Sequence, residues 1–186
     1  MEYITVPMEQ KHYDDVLKLW KDRMGRNYPD ESKLEDAIDT QKPNKSGFVS
    51  IDNENEIIGF SIGEILPHNK AEEKVPSLTL FNEDVDYIGF FDLNVVKKSL
   101  EGNGIGESQI KMREENFKNK NITHFFAICW IRDEYYDSVA LLEKVGFDCL
   151  KKIDNFWYDE TKKRNAECID CGSPCTCTAG IYKKVI

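Results

Sequence analysis

Three glycines, at positions 102, 104 and 106, stand between a segment typical of a strand and a segment typical of a helix. The first segment, 87–96, is aromatic, aliphatic and β-branched, and the second, 105–118, has helical spacing with few breakers. Glycine lets the backbone turn sharply and leaves amide N–H groups uncovered, and the N-terminus of a helix favours anions. Residues 101–106 (the glycine loop) therefore predict a site for a phosphate or pyrophosphate group.

Four of the six cysteines lie close together near the C-terminus, as Cys168, Cys171, Cys175 and Cys177. Cysteines this close can present four sulfur atoms to one ion, and tetrahedral zinc readily takes four thiolates. Four protein ligands leave no open coordination position, so the pattern predicts a structural zinc rather than a catalytic one. The alternatives are an iron–sulfur cluster, which also takes four thiolates, and free or disulfide-paired cysteines without a metal.

The composition is typical of a globular protein, with 40% hydrophobic and 32% charged residues among 186. We expect a single domain over 1–186, in which 159–180 form a Cys-rich insertion between the last two strands. No apolar run approaches the roughly 20 residues needed to span a bilayer, and the first residues lack the pattern of a signal peptide. We therefore expect a cytoplasmic protein that has no membrane partner.

The net charge of −9 argues against nucleic acid as a partner, because binding to nucleic acid depends on Lys and Arg at the phosphates. The charge is compatible with a cationic substrate, either a small-molecule amine or a peptide amine. Acidity also serves merely to keep a protein soluble, so the substrate does not follow from it. The sequence leaves open whether the chain forms a homodimer.

The remaining segments predict elements on both sides of the glycine loop. Before the 87–96 strand come a short strand, two helices, a hairpin and a polar loop, at 4–6, 13–24, 29–38, 48–62 and 67–86. After the helix at 105–118 come a strand, a helix, a strand and a closing strand, at 124–131, 135–142, 147–158 and 181–186. Cys129 and Cys149 stand alone in strand-like segments and are predicted to be small core residues.

The order of these elements, the glycine loop and a second motif together resemble the GNAT superfamily of N-acetyltransferases. The family loop runs Arg or Gln, two residues, Gly, any residue, Gly or Ala, and the matching residues here are Glu-Gly-Asn-Gly-Ile-Gly at 101–106. The second family motif has a small residue, then Leu-Tyr, then Gly-Phe, and it is matched by Ser-Val-Ala-Leu-Leu-Glu-Lys-Val-Gly-Phe at 138–147. The resemblance covers residues 1–158 and the final strand.

The resemblance implies an α/β (α+β) fold with a mixed, mostly antiparallel sheet flanked by helices and a splayed central strand pair. It also implies transfer of an acetyl group from acetyl-CoA to a primary amine by direct attack. Strand backbone would hold the pantetheine arm, loop amides would bind the pyrophosphate, and the thioester would lie between Val95 and Trp130. The implied cofactor-binding residues are Leu93, Asn94, Val95, Gly102, Asn103, Gly104, Ile105 and Gly106.

Two positions depart from the family pattern. Glu101 replaces the usual Arg or Gln and puts a negative charge near the phosphates, which Lys97 and Lys98 would offset if they face the loop. Leu142 stands where many members carry a tyrosine that protonates the leaving thiolate. Tyr135, seven residues earlier on the same helical stripe, is the candidate substitute, and an aromatic residue that only packs in the core is the alternative.

Asp92, in the strand beside the expected cofactor, is the candidate base that accepts a proton from the amine. A strand aspartate that is simply paired or solvated is the alternative. The favoured function is an N-acetyltransferase. Because Glu101 and Leu142 depart from the family pattern, a catalytically weak acyl-CoA sensor with the same fold stays open as a second function. The four C-terminal cysteines leave a third function open, a zinc-containing interaction module.

Overall fold

The computed structural model describes residues 1–75, 78–82, 85–131 and 137–186. In these residues, seven strands form one sheet in the order β1-β2-β3-β4-β5-β7-β6. The strands are β1 (Tyr3–Pro7), β2 (Lys45–Asp52), β3 (Ile57–Pro67), β4 (Tyr87–Val96), β5 (His124–Ile131), β6 (Asp148–Ile153) and β7 (Thr178–Val185). The helices are α1 (Tyr13–Met24), α2 (Glu31–Ile38), α3 (His68–Glu73), α4 (Ile105–Lys118), α5 (Asp137–Lys144) and α6 (Tyr158–Arg164).

The centre of the sheet is splayed. Neighbouring strands are antiparallel except β4 and β5, which are parallel. These two strands, both described in full, pair only from Gly89 with Phe125 to Phe91 with Ala127, although β4 continues to Val96 and β5 to Ile131. They therefore diverge toward their C-terminal ends. The predicted fold, a mixed and mostly antiparallel sheet with helices around it and a splayed central pair, is confirmed.

Helix α4 packs closely against one face of the sheet because two strand glycines give it room. A Cβ atom on Gly59 would lie 2.5 Å from Nε2 of Gln109, and one on Gly89 would lie 2.7 Å from a ring carbon of Phe117. Phe117 is fully buried and packs edge-on against Phe91. The strand glycines thus fix the position of the helix whose N-terminus carries the glycine loop.

The opposite face of the sheet is covered by two apolar clusters. Helices α1 and α2 bury Trp20 and Leu34 against β2, β3 and β4. Further along the sheet, Ala71 of α3 and the segment around Leu80 pack on β4, β5 and β7, together with side chains next to α6. The chain that links α1 to α2 and the chain around α6 therefore lie on the same side of the splayed strands.

Three sequence predictions are wrong. The strand expected over 147–158 ends at Ile153, because Asn155, with a φ of 55°, turns the chain and α6 follows. The expected loop 67–86 begins with α3, whose six residues bury only Ala71 and so lack a visible apolar period. Cys149 is exposed rather than in the core, because β6 is an edge strand with one open face, whereas the prediction that Cys129 is buried is confirmed.

Among the described residues, no helix is both long and apolar enough to cross a bilayer.

Candidate active site

A cleft of about 600 Å³ opens where β4 and β5 diverge. Its loop half is lined by the glycine loop, the start of α4 and the C-terminal part of β4. Its aromatic half is lined by side chains from the α1–α2 connection, the end of β5 and the start of α6, chiefly Tyr28, Trp130, Phe156 and Trp157. One continuous space therefore joins the predicted anion site to a wall of aromatic rings.

The glycine loop forms a tight turn at the start of α4. Gly102 and Gly104 both have a φ of 79°, in the left-handed region that favours glycine, and Gly104 directly precedes the helix. Gly102, Gly104, Ile105 and Gly106 line the cleft, whereas the Asn103 side chain donates hydrogen bonds to two backbone carbonyls beside it. The first N–H groups of a helix have no acceptor inside the helix, so those of α4 are suited to bind an anion in the cleft.

The charge of Glu101 is offset by a residue that the sequence analysis did not single out. Arg23, in the last turn of α1, forms an ion pair with Glu101 and also lines the cleft. Lys97 instead pairs with Glu56 at 2.6 Å, and Lys98 lines the cleft. A phosphate near the loop would therefore meet a neutralised Glu101 rather than a bare carboxylate. Only the tertiary fold brings Arg23 here, so no local sequence signal could have identified it.

The C-terminal part of β4 presents a sheet edge to the cleft. Leu93, Asn94 and Val95 line the cleft and pair with β3 on one side only, because β5 has already diverged from them. In an antiparallel pair, alternate residues direct their backbone N–H and C=O groups away from the partner strand. This edge therefore offers backbone groups to an extended ligand lying between the two strands.

A β-bulge shapes this edge. Ile62 of β3 pairs with Leu93, and the next residue, Gly63, pairs with Phe91, so Asp92 is the extra residue of β4. A bulge bends the strand that carries it, and this bulge lies directly after the last pair of β4 with β5. It also places the Asp92 side chain in the cleft.

Arg113 of α4 lies under the bulge with 1% of its surface exposed. Its Nη1 donates to the carbonyls of Ile62 and Leu93, both at 2.8 Å, and its Nη2 donates to Oδ1 of Asn94 at 2.8 Å. Burial lowers the pKa of Arg113 to about 9, and the nearby carboxylate of Asp92 opposes that shift. The guanidinium group thus satisfies carbonyls on both sides of the bulge. The only sequence signal for this buried role of Arg113 is its position on the apolar side of a helix.

Asp92, the predicted base, is paired. Its carboxylate lies 2.8 Å from Nζ of Lys33 in α2, and 13% of its side chain is exposed. Burial lowers the pKa of Lys33, but the charge of Asp92 and the hydrogen bond to it more than offset this, so the pKa is raised overall. In the structure Asp92 is therefore a paired strand aspartate, as the alternative interpretation held. Asp92 thus faces the cleft with the ammonium group of Lys33 beside it.

The predicted acid, Tyr135, lies outside the described residues. Leu142, at the family's tyrosine position, is buried and lines the cleft with a hydrocarbon side chain. Tyr28 brings a phenol group to the cleft from the α1–α2 connection, where burial and nearby cysteines raise its pKa well above the usual value. Tyr28 therefore remains protonated at neutral pH.

The wall of the aromatic half consists of four half-buried rings in mutual contact. The rings of Tyr28 and Trp130 are parallel within 5°, with centroids 6.1 Å apart. Trp157 meets Trp130 edge-on at 6.4 Å and Phe156 edge-on at 5.2 Å. These rings come from three distant segments of the chain, so the sequence analysis could identify them only as separate aromatic residues.

The four clustered cysteines meet in space. Their Sγ atoms all lie within 4.8 Å of one another, with Cys168 to Cys177 at 3.9 Å and Cys171 to Cys177 at 3.4 Å. A tetrahedral zinc about 2.3 Å from each sulfur would set the sulfurs about 3.8 Å apart. The backbone N–H of Thr176 donates to Sγ of Cys171 at 3.3 Å. The donor set therefore fits a tetrahedral dication.

The ionisation of these thiols is coupled. The nearby thiol of Cys175 lowers the pKa of Cys168 to about 5, and the interaction with Cys168 together with burial raises the pKa of Cys175. Burial raises the pKa of Cys177 to about 12, and the nearby indole of Trp130 opposes that shift. Without a cation, one thiolate is favoured at the expense of its neighbours. A bound dication would favour all four thiolates.

The Cys-rich segment 159–180 (the cysteine segment) is hydrogen-bonded to the end of α1 and to the α1–α2 connection. The N–H groups of Glu167 and Ile169 donate to the carbonyls of Arg26 and Met24 at 3.0 and 3.1 Å. Gly25 permits this approach, because a Cβ atom there would lie 1.9 Å from the carbonyl oxygen of Glu167. Nη2 of a further residue, Arg164, donates to the carbonyls of residues 28 and 29 at 3.1 and 2.8 Å. The aromatic half is thus closed on one side by bonded backbone.

The fold is shared with many solved structures. The NatC complex bound to Gag peptide and CoA contains a chain with 12% identity and a TM-score of 0.71, over 100% of this chain and 99% of that one. The NAA60 protein of Arabidopsis thaliana bound to a bisubstrate analogue has 11% identity and a TM-score of 0.72, over 100% and 98%. Arylalkylamine N-acetyltransferase 2 from Aedes aegypti has 18% identity and a TM-score of 0.65, over 100% of both chains.

Sequence comparison assigns the family. No curated protein sequence matches the chain. The profile described as "Acetyltransferase (GNAT) family" matches residues 13–147, which is more than half of the chain. That match includes α1, the glycine loop, the bulged β4 and the motif that ends at Phe147. The chain is a member of the GNAT acetyltransferase family.

Proposed function

We propose that this protein transfers an acetyl group from acetyl-CoA to a primary amine by direct attack. The observation that carries the proposal is the continuous cleft that joins the glycine loop to the free edge of β4. Solved neighbours with the same fold contain CoA, acetyl-CoA or a bisubstrate analogue. In the proposed complex, the pyrophosphate lies on the loop amides, the pantetheine arm along residues 93–95, and the thioester between Val95 and Trp130.

The chemistry requires few groups. The amine nitrogen forms a bond to the acetyl carbon, the carbon–sulfur bond breaks, and the sulfur leaves as a thiolate. A thiol pKa near 8.5 makes this thiolate a fair leaving group, so the hydrocarbon side chain of Leu142 does not prevent the reaction. The attacking amine must be neutral, and Asp92 is the proposed acceptor of its proton, directly or through a water molecule. Lys33 would hold the Asp92 side chain in place.

The alternative function, an acyl-CoA sensor that does not turn over, is favoured by Leu142 at the tyrosine position. A single assay distinguishes the enzyme from the sensor. With acetyl-CoA and a panel of amines, an enzyme releases free CoA thiol in proportion to the acetylated amine, whereas a sensor binds acetyl-CoA and releases none. Calorimetry with acetyl-CoA completes the test, because failure to bind at millimolar concentration contradicts both functions.

The pyrophosphate site can be tested at Gly104 with two side chains of nearly equal shape. Asn and Asp both tolerate the left-handed φ better than other residues, so Gly104→Asn and Gly104→Asp carry similar strain. Gly104→Asp adds a charge that repels the pyrophosphate, and two unit charges about 4 Å apart interact by about 4 kcal/mol at an effective dielectric of 20. We expect at least about tenfold weaker acetyl-CoA binding by calorimetry for Gly104→Asp than for Gly104→Asn. Equal affinities would place the pyrophosphate elsewhere.

The role of Asp92 can be separated from its ion pair. We expect Asp92→Asn to lower kcat by about 100-fold at neutral pH, with partial recovery at high pH where more amine is neutral, and to leave acetyl-CoA affinity nearly unchanged. Lys33→Gln breaks the same ion pair but keeps the carboxylate, so it serves as the control. If both variants lose the same activity with the same pH profile, Asp92 acts only as the partner of Lys33.

We also propose that Cys168, Cys171, Cys175 and Cys177 hold a structural zinc. The support is the spacing of the four sulfurs and the N–H donor to Cys171. The ion would supply no step of acetyl transfer, because four thiolates leave it no open position. It would order the segment between β6 and β7, whose residues are all described and in which the seven-residue α6 is the only helix or strand.

A further inference from the structure

The walls of the aromatic half point to a particular kind of acceptor. We propose that the acceptor is a small primary monoamine that carries an aromatic ring, bound with its ring on Tyr28, Trp130 and Trp157 and its nitrogen beside Asp92. This inference rests on the proposed acetyltransferase function. It concerns only the aromatic half of the cleft, which the glycine loop does not reach.

The first support is the chemistry of the wall. Tyr28, Trp130, Phe156 and Trp157 are each half-buried, and all four line the cleft. These rings already pack against one another, with centroids 6.1, 6.4 and 5.2 Å apart, and a further ring can extend the surface that they form. An added aromatic contact contributes about 0.5–1.5 kcal/mol beyond the apolar area that it buries. An aliphatic amine of similar length would gain only the binding free energy that comes from burying its apolar area.

The second support is the charge of the cleft. Among the described residues five carboxylates line it, and four of them already have cationic partners. Asp92 pairs with Lys33, Glu160 with Arg164, Glu101 with Arg23, and Glu107 with Lys111 and Lys144. The fifth, Asp30, accepts hydrogen bonds from the backbone and side chain of Ser32 at the start of α2. A polyamine needs several carboxylates to match its charges, and each of these has a partner. The charge therefore favours an acceptor with a single amino group.

The third support is the closed rim. The carbonyls of residues 24, 26, 28 and 29 accept hydrogen bonds from Ile169, Glu167 and Arg164. One recurring way for an extended peptide to bind is to pair its backbone with open backbone groups of the protein. Along this rim those acceptors are already in use within the chain. A peptide that crossed between the α1–α2 connection and α6 would have to displace them, whereas a small amine would not.

Four amines test the inference on the unaltered protein: 2-phenylethylamine, n-butylamine, spermidine, and a tetrapeptide with a free N-terminal alanine and no lysine. We expect kcat/KM, measured by CoA release, to be at least about tenfold higher for 2-phenylethylamine than for each of the others. A preference for spermidine or the tetrapeptide overturns the inference, as does equal use of 2-phenylethylamine and n-butylamine. If no amine releases CoA, the proposed function fails instead, so the two failures are distinguishable.

A pair of variants tests the ring contact itself. We expect Trp157→Ala to reduce the preference for 2-phenylethylamine over n-butylamine to near one, and Trp157→Phe to retain most of it, because phenylalanine keeps a ring face. The measured quantity is the ratio of the two kcat/KM values, which is insensitive to a loss of folded protein. An unchanged ratio in Trp157→Ala would show that the ring is bound elsewhere and would overturn the inference.

Discussion

Replacement of Cys171 by serine is expected to remove the metal, lower the stability of the protein and impair acceptor binding, while acetyl-CoA binding is retained. Metal binding contributes directly to folding where the site does not exist in the unfolded chain, and zinc-finger sites contribute about 10–16 kcal/mol. Even a loss of about 3 kcal/mol would lower Tm by about 6–12 °C for a chain of this size. We expect a loss of at least this magnitude for Cys171→Ser and for the protein treated with a chelator.

We expect amine binding to be impaired and acetyl-CoA binding to be retained because of the residues that the cysteine segment contacts. Its backbone bonds to residues 24 and 26, and its Arg164 donates to the carbonyl of Tyr28, a residue of the aromatic wall. The glycine loop lies in the other half of the cleft. Loss of the ion should therefore raise KM for the amine by tenfold or more and change the Kd of acetyl-CoA by less than about threefold.

Cys149→Ser is the matched control, because Cys149 is an exposed cysteine on β6 outside the cluster. It should keep one zinc per chain by elemental analysis and an unchanged Tm. A Cys171→Ser protein with full metal content and an unchanged Tm would contradict the proposed site. If protein purified without oxygen contains iron and labile sulfide, the same four residues hold an iron–sulfur cluster instead of zinc.

The sequence predicted those parts of the molecule whose chemistry is local. The glycine loop and the four cysteines have their spacing in a few consecutive residues, so both could be found without a fold. The splayed strand pair followed from the family resemblance. The end of β6 was missed because Ile153 and 156–157 continue the apolar character of the strand, although the chain turns at Asn155. A helix as short as α3 shows no apolar period at all.

The remaining parts of the site depend on contacts between distant segments. Arg23 meets Glu101 across 78 positions of sequence, and Arg113 reaches Ile62 across 51. The aromatic wall joins residues 28, 130 and 157. No periodicity or motif in a single chain encodes such pairs. The glycine loop was predicted with a possible conflict at Glu101, and the fold resolves that conflict through Arg23.

The second large effect is expected at Arg113, whose replacement should both destabilise the fold and weaken cofactor binding. In Arg113→Leu the buried carbonyl of Ile62 and the partly buried carbonyl of Leu93 lose their donor, and a buried unsatisfied group costs about 1–3 kcal/mol. Loss of the third bond, to Asn94, frees the side chain that also contacts the carbonyl of Gly106. We expect the free energy of unfolding, measured in urea, to fall by about 3–5 kcal/mol.

The same change should reach the cofactor site because Arg113 spans the bulge. Its Nη1 joins β3 to β4 at the point where β4 turns away from β5, so the free edge at 93–95 depends on it. Arg113→Lys keeps the charge but has no planar fork to serve three acceptors, and it should recover only part of the stability. Acetyl-CoA affinity, measured by calorimetry below the unfolding transition, should fall at least about tenfold in Arg113→Leu.

Lys111→Leu is the control on the same helix, since Lys111 is 69% exposed and its removal should change stability by less than about 0.5 kcal/mol. If Arg113→Leu were as stable as Lys111→Leu, the bulge would not need its buried donor. If Arg113→Leu were unstable but bound acetyl-CoA normally, the bulge would hold the fold without shaping the cofactor edge. Only a loss of both supports a single role for Arg113, in which one buried cation fixes the bend of β4 and thereby opens the cleft in which acetyl transfer is proposed to occur.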